Sequence, residues 1–223
     1  EVCLFAVFSA DIKAFRSFSH DVRYEVQPGC TRIKRHSFAN CRNLKAVTLP
    51  NSLKVIEDEA FMECISISEI NLPHNLKEIG SDAFLNTNIA KFSLPSSIER
   101  IGEGAFAVRE QWNERRYAKK LSISGENSVY SILDNKLVEN KQSLMADYAS
   151  DDVIFIPSGI KEICSKAYHH NIAREIHIPS SVKSIHKDSF LKCNHLKRLY
   201  MDFLGERGCL YMPGAKADYD VKP

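Results

Sequence analysis

The sequence predicts an α/β repeat solenoid, a right-handed superhelix with one parallel sheet and one β-hairpin insertion. A frame that is clearest in residues 50–72 starts again at Pro73 and recurs along most of the chain. Its aromatic position is occupied, at spacings of 23, 23 and 22 residues, by Phe38, Phe61, Phe84 and Phe106. Self-similarity at a fixed period of roughly 20–50 residues is typical of solenoids and other repeat architectures.

Each repeat closes on a short predicted strand. Val47 and Leu49 alternate with polar residues, as do Ile70 and Leu72 one repeat later, and alternation at period two indicates a half-buried strand. Proline follows this pair in most repeats, and because it has no N–H it ends the strand there. Stacked repeats place equivalent strands side by side at about 4.8 Å. The aliphatic pairs and the phenylalanines then form opposite walls of one core, and we expect turns and short helical segments opposite the sheet.

The repeat runs through nearly the whole chain, so we expect one elongated domain over residues 1–223. Terminal repeats of solenoids are atypical because one of their faces meets solvent. The predicted segments, in chain order, are a degenerate N-terminal coil at 1–27, regular repeats at 28–123 with a loop insertion at 107–120, a hairpin insertion at 124–152, regular repeats at 153–201 and a C-terminal cap at 202–223.

The hairpin insertion is predicted from two turn signals. Short alternating runs at 130–133 and 136–138 flank Asp134-Asn135, a dipeptide that suits a tight turn. A second turn near Asn140-Lys141 leads into a third run at 143–145. The insertion is therefore expected to consist of β-strands.

Composition and motifs argue against several classes of protein. The 30 basic and 28 acidic residues are interspersed, so no broad electropositive face for nucleic acid is visible. No apolar run approaches the roughly 20 residues that cross a bilayer, which argues against membrane insertion of this chain. We find no zinc-type cysteine spacing, phosphate-binding loop, dinucleotide fingerprint or hydrolase motif, and we therefore expect no metal, cofactor or catalytic residue.

Cys41 and Cys64 occupy one repeat position in adjacent coils. Their Cα separation could permit a disulfide, which an oxidising environment would favour. A cysteine at such a position also often serves as a small buried hydrophobe. Both interpretations remain open on the sequence.

The repeat pattern resembles the BspA-like class of leucine-rich repeats found in bacterial surface proteins. Isoleucine precedes Ala-Phe or Ser-Phe, often followed by Cys and then by an aliphatic pair before proline, as in Ile33/Phe38/Cys41, Ile56/Phe61/Cys64, Ile79/Phe84, Ile101/Phe106 and Ile185/Phe190/Cys193. Tyr168 departs from the pattern by bringing into the phenylalanine position a hydroxyl that needs a partner. The resemblance implies a non-catalytic binding or adhesion module, secreted or on the bacterial surface, with its signal or anchor outside this chain and an extracellular protein or glycan as partner. A structural spacer that displays another domain is the alternative, and an enzyme with a site near the hairpin insertion is a third interpretation.

The outward positions of the predicted strands provide the first candidate site. In the later repeats they are occupied by Phe155, His177, Tyr200 and Tyr211. Neighbours in such a column lie about 5 Å apart, and exposed aromatic residues in a row can form a binding strip. The alternative is that aromatic residues simply suit strands.

Trp112 and Arg115 in the loop insertion are the second candidate, because Trp and Arg are enriched at protein interfaces. The alternative is a Trp that folds back over its own coil, with the arginines in solvent.

Overall fold

The structure, a computed structural model, describes residues 22–108, 120–148, 151–169, 171–201 and 218–221. These residues fall into two compact units. The first unit comprises the described residues up to 127, and the second unit those from 128 onward. The prediction of one domain over 1–223 stays a prediction.

All regular elements among the described residues are strands, so the α component of the predicted α/β class is wrong for this part of the chain. The observed architecture is a β-solenoid with parallel strands. Where short helical segments are predicted, the chain forms tight turns. His36, Asn40, Glu59 and Glu63 have left-handed backbone conformations, with φ between 56° and 63°. Such residues interrupt a right-handed helix, and two of them in one coil leave no room for a helical turn.

The first unit contains two rows of parallel strands, which we call the first ladder and the second ladder. The first ladder holds β1 (Val22–Glu25), β3 (Leu44–Thr48), β6 (Lys91–Pro95) and β8 (Lys120–Ser124), with β1 paired to β3 and β6 paired to β8. The second ladder holds two-residue strands paired in chain order, β2 (Arg32–Ile33), β4 (Val55–Ile56), β5 (Glu78–Ile79) and β7 (Arg100–Ile101).

The second unit also has two ladders. Its first ladder is formed, in spatial order, by the parallel strands β12 (Val153–Phe155), β14 (Glu175–Ile178), β16 (Arg198–Met201) and β17 (Asp218–Val221). Its second ladder includes β13 (Glu162–Ile163) and β15 (Ser184–Ile185). Three further strands precede them in the chain, β9 (Tyr130–Leu133), β10 (Lys136–Glu139) and β11 (Ser143–Asp147).

The second ladders correct the prediction of one parallel sheet. Their inward residues, such as Ile56 and Ile79, are fully buried, whereas the residues before them, Val55 and Glu78, are partly exposed. A strand of two residues shows one alternation only, which sequence patterning cannot distinguish from a turn. The isoleucines are thus predicted as core residues, but the strands they belong to are missed.

The predicted hairpin is confirmed, and all three of its predicted runs form strands. β9 and β10 pair antiparallel, and the turn residues Asp134 and Asn135 have φ of 48° and 60°, as the two central residues of a type I′ hairpin turn require. β10 also pairs antiparallel with β11, which in turn pairs parallel with β13. The insertion is therefore hydrogen-bonded to the second ladder of its unit.

The core of the first unit is organised around the phenylalanine column, which consists of Phe38, Phe61, Phe84 and Phe106. Successive rings stack at centroid distances of 4.9, 5.3 and 6.0 Å, and every ring is at most 1% exposed. Cys41 and Cys64 are buried thiols rather than a disulfide, and the Cys64 thiol donates to the Phe38 carbonyl at 2.9 Å. The second unit repeats this arrangement, with Tyr168 stacked on Phe190 and the Cys193 thiol donating to the Tyr168 carbonyl.

Candidate functional site

The first ladder of the second unit brings three predicted site residues together. The parallel register pairs Phe155 with His177 and His177 with Tyr200. The residue before each of them points into the core and is at most 2% exposed: Ile154, Ile176 and Leu199. Because successive side chains of a strand point to opposite faces, burial of these three places the aromatic residues on the outer face of the sheet.

Phe155, His177 and Tyr200 form a stacked aromatic row. The Phe155 and His177 ring centroids are 4.4 Å apart with an interplanar angle of 18°, and those of His177 and Tyr200 are 4.4 Å apart with an angle of 14°. Phe155 is 64% exposed, more than any other large hydrophobic side chain of the described residues, and Val153 on the same strand is 41% exposed. Exposure of neighbouring apolar groups on a soluble protein marks an interaction surface when they are contiguous.

The stacking determines which chemical groups the row presents. The rings face one another along the row. Stacking therefore covers the faces between them and leaves the ring edges uncovered. Ring edges carry the positive part of the aromatic quadrupole, and His177 and Tyr200 add polar groups that form hydrogen bonds. The row therefore presents apolar ring edges beside groups that form hydrogen bonds.

An ion pair flanks the aromatic row on the same sheet face. Arg198 donates through Nη1 to Glu175 Oε1 at 2.7 Å, and the two residues are register partners on β16 and β14. Glu175, and to a lesser extent Tyr200, raises the pKa of Arg198 above its usual value. The pair thus places one fixed charge of each sign beside the row.

The equivalent repeat positions of the first unit carry no aromatic residue. They hold small or polar side chains, namely Thr48, Asn71, Ser93 and Ser122. The aromatic row is consequently a feature of the second unit and not a property of the repeat itself.

The remaining predicted site residues, Tyr211, Trp112 and Arg115, lie outside the described residues. Among the residues that are described, no three His, Cys, Asp or Glu side chains are grouped as metal ligands would be.

A buried polar cluster at the hairpin insertion was not anticipated from the sequence. Lys136 is 2% exposed, and its Nζ lies 3.6 Å from Asp147 Oδ2 and 3.2 Å from both the carbonyl and Oδ2 of Asp134. Lys136 and Asp147 are register partners across β10 and β11. Charged residues are rarely fully buried unless they are paired, so composition gives no sign that both of these residues lie in the interior.

Tyr168 lies near this cluster. Its burial, with the nearby Asp147 carboxylate, raises the pKa of Tyr168 well above its usual value. The buried hydroxyl makes no hydrogen bond of acceptable geometry among the described residues, although Asp147 is close enough to influence it. Lys136 and the Asp147 carboxylate are buried, whereas the Asp134 carboxylate that also contacts Lys136 is 87% exposed, so the geometry of the cluster supports a role in holding the hairpin in register.

The repeat pattern itself identifies the protein family. Six copies of the BspA type leucine-rich repeat match residues 31–149 and 148–203, which together span most of the chain. The chain belongs to the BspA-type leucine-rich-repeat family. No curated protein matches the sequence.

Solved structures of leucine-rich-repeat proteins are similar to this BspA-type chain in fold. A protein from Eubacterium ventriosum matches with a TM-score of 0.59 and 20% identity over 82% of this chain and 60% of its own. A protein from Bacteroides ovatus matches with a TM-score of 0.51 and 19% identity over 82% of this chain and 55% of its own. The pneumococcal vaccine antigen PcpA matches with a TM-score of 0.54 and 15% identity over 83% and 61%. The chain thus spans less than two thirds of each of these proteins.

The family assignment accounts for the scaffold and leaves the aromatic row unexplained. The BspA-type pattern specifies the buried isoleucines and the phenylalanine column, whereas the outward strand positions are free to vary between repeats.

The described residues form no helix with the length and apolar character that a bilayer-spanning segment needs.

Proposed function

We propose that this BspA-type chain is a non-catalytic binding module, secreted or displayed on a bacterial surface, that recognises an extracellular protein through its aromatic row. The observation that carries the proposal is the stacked, solvent-facing arrangement of Phe155, His177 and Tyr200. The location outside the cell rests on the family, whose repeats occur in bacterial surface proteins.

The energetics of the row support a role in binding. Burying apolar surface stabilises by about 25 cal/mol per Å², so an exposed Phe155 and Val153 leave stabilisation unrealised until a partner covers them. Aromatic side chains anchor protein interfaces because they bury a large area with few rotatable bonds. The flanking Glu175–Arg198 pair suits the polar rim of such an interface.

The ring arrangement favours a protein over a glycan as the partner. Stacking covers both faces of the His177 ring and one face each of Phe155 and Tyr200, so a sugar ring could stack only at the ends of the row. The ring edges, the imidazole nitrogens and the phenol hydroxyl are better matched to backbone carbonyls and apolar side chains of a protein.

A binding comparison on an array of host extracellular-matrix proteins and glycans tests the proposal. We expect the wild-type chain to bind a matrix protein, and the variant Phe155→Ala/His177→Ala/Tyr200→Ala to bind it at least about 10-fold more weakly. The matched control Thr48→Ala/Ser122→Ala changes the equivalent strand positions of the first unit and should bind as the wild type does.

Three results would overturn the proposal. Equal binding by the wild type and the triple variant would remove the aromatic row from the interface. Loss of binding only to glycans would replace the protein partner with a carbohydrate. Absence of any binding by the wild type would favour the structural spacer.

A further inference from the structure

The first ladder of the first unit is interrupted at one coil. Residues 68–72 occupy the repeat position between β3 and β6, yet they form no strand and β3 and β6 belong to separate sheets. In the second ladder, the same coil is paired on both sides, because β4 bonds to β2 and to β5. The interruption is therefore local to the first ladder and does not displace the whole coil.

The repeat shows which hydrogen bonds are missing. In the next coil Lys120 N donates to Ala90 O at 2.8 Å, and the equivalent bond in the second unit joins Glu175 N to Asp152 O at 3.0 Å. By the same alignment Lys91 N would donate to Ser68 O, but no such bond occurs within the residues the structure describes.

The unused backbone groups face the interruption. Adjacent residues of a strand direct their N–H and C=O groups to opposite edges. Since the Ala90 carbonyl accepts from β8, the peptide groups of Lys91 and Ser93 point to the other edge of β6, toward 68–72. β6 thus has one paired edge and one open edge within the first unit.

A groove of about 710 Å³, which we call the edge groove, lies along this open edge and is lined by polar and apolar groups in similar measure. One wall is formed by residues 68–72, and the other includes Lys91, Ser93 and Pro95 of β6. Its volume falls within the roughly 300–1,000 Å³ of ligand pockets. Exposed Glu69 and exposed Lys91 stand on opposite walls, so the groove offers one charge of each sign.

We propose that the edge groove binds an extended peptide segment of a partner protein, which adds to the open edge of β6 as a β-strand. Main-chain hydrogen bonds give affinity in strand addition, and alternate side chains give specificity. The carbonyls of such a segment accept from the free N–H groups of Lys91 and Ser93. A basic side chain of the segment pairs with Glu69 and an acidic one with Lys91. This site is independent of the aromatic row in the second unit.

The probe for this proposal is a phage-displayed library of random heptapeptides selected on the wild-type chain. We expect enriched sequences with one basic and one acidic residue. N-methylation of a selected synthetic peptide should weaken binding at alternate residues only, by about 10-fold or more, because alternate N–H groups face β6.

Two variants of one residue test the position of the site. Ser93→Pro removes the N–H that faces the groove while leaving the β8 side of β6 intact, and proline is tolerated at an open strand edge. We expect Ser93→Pro to weaken peptide binding by at least about 10-fold and Ser93→Ala, which keeps the N–H, to leave it within about twofold. The variant Phe155→Ala/His177→Ala/Tyr200→Ala should bind the peptide as the wild type does, which separates this proposal from the proposed function.

Several outcomes would overturn the inference. They are an empty selection, an equal effect of N-methylation at every residue, equal binding by Ser93→Ala and Ser93→Pro, and loss of peptide binding in the aromatic triple variant. If Ser93→Pro fails to fold, the N-methylation pattern on the wild-type chain still decides between strand addition and recognition of side chains alone.

Discussion

The phenylalanine column of the first unit and the aromatic row of the second are both stacks of rings related by one coil of the repeat. The column stacks at centroid distances between 4.9 and 6.0 Å inside the coil, and the row stacks at 4.4 Å on its outer face. Both geometries follow from parallel register, which places equivalent side chains side by side. They differ in burial, since Phe61 is 0% exposed and Phe155 is 64% exposed. The same stacking should therefore contribute to stability in one place and to binding in the other.

The largest expected effect on stability comes from removing a ring in the middle of the phenylalanine column. Phe61→Ala removes a fully buried ring that stacks on both neighbours, and we expect it to lower the free energy of unfolding by about 3–5 kcal/mol. Urea denaturation measures the change. Phe61→Leu, which keeps most of the apolar volume, should cost clearly less. A loss below about 1 kcal/mol for Phe61→Ala would show that the column is not the structural core.

In the second unit, Tyr168 occupies the repeat position that phenylalanine holds in the column of the first unit, and we expect its hydroxyl to reduce stability there. Its hydroxyl is buried without a well-placed hydrogen bond, and a buried polar group in that state costs about 1–3 kcal/mol. Tyr168→Phe restores the repeat residue, so we expect it to raise the free energy of unfolding by about 1 kcal/mol. Thermal and urea unfolding measure the change. A destabilised Tyr168→Phe would show that the hydroxyl is satisfied through Asp147 or an internal water.

We expect the ion pairs between neighbouring coils on the surface of the first unit to contribute a stabilisation of intermediate magnitude. Glu59 contacts the imidazole of His36 and accepts from Arg35 Nη2 at 2.8 Å, and these two bonds hold the pKa of Glu59 below its usual value of 4.5. The stabilisation from these two bonds is present at pH values above the pKa of Glu59 in the unfolded chain. It is lost as the pH falls through the lower pKa that Glu59 has in the folded chain.

The experiment compares the free energy of unfolding of the wild type with that of Glu59→Gln, from neutral pH to pH values below 4.5. We expect the variant to be less stable by up to about 1 kcal/mol at neutral pH, in keeping with a surface ion pair. The difference should shrink as pH falls below 4.5. A difference that does not depend on pH would mean that the carboxylate charge contributes nothing.

The repeated parts of this fold are predictable from the sequence, whereas the buried charged pair and the interrupted ladder are not. Alternation at period two and a turn dipeptide suffice for the first ladder and the hairpin, and the outward position of Phe155 follows from its strand. Lys136 and Asp147 are missed because charged residues are expected in solvent, and their pairing depends on register across a bulged hairpin. Residues 68–72 have the same aliphatic pattern as their neighbours, so only the structure shows that they leave the ladder.

The smallest expected effect on stability comes from the outer end of the aromatic row. Phe155→Ala removes a ring that solvent already reaches, so we expect the free energy of unfolding to change by less than about 1 kcal/mol in urea denaturation. Binding to the protein partner should nevertheless fall at least about 10-fold, because an exposed anchor contributes only when it is covered. Val153→Ala on the same strand is the control for loss of apolar area without loss of stacking. If Phe155→Ala destabilised the chain as much as Phe61→Ala does, the outer row would be part of the scaffold and the contrast between the two stacks would disappear.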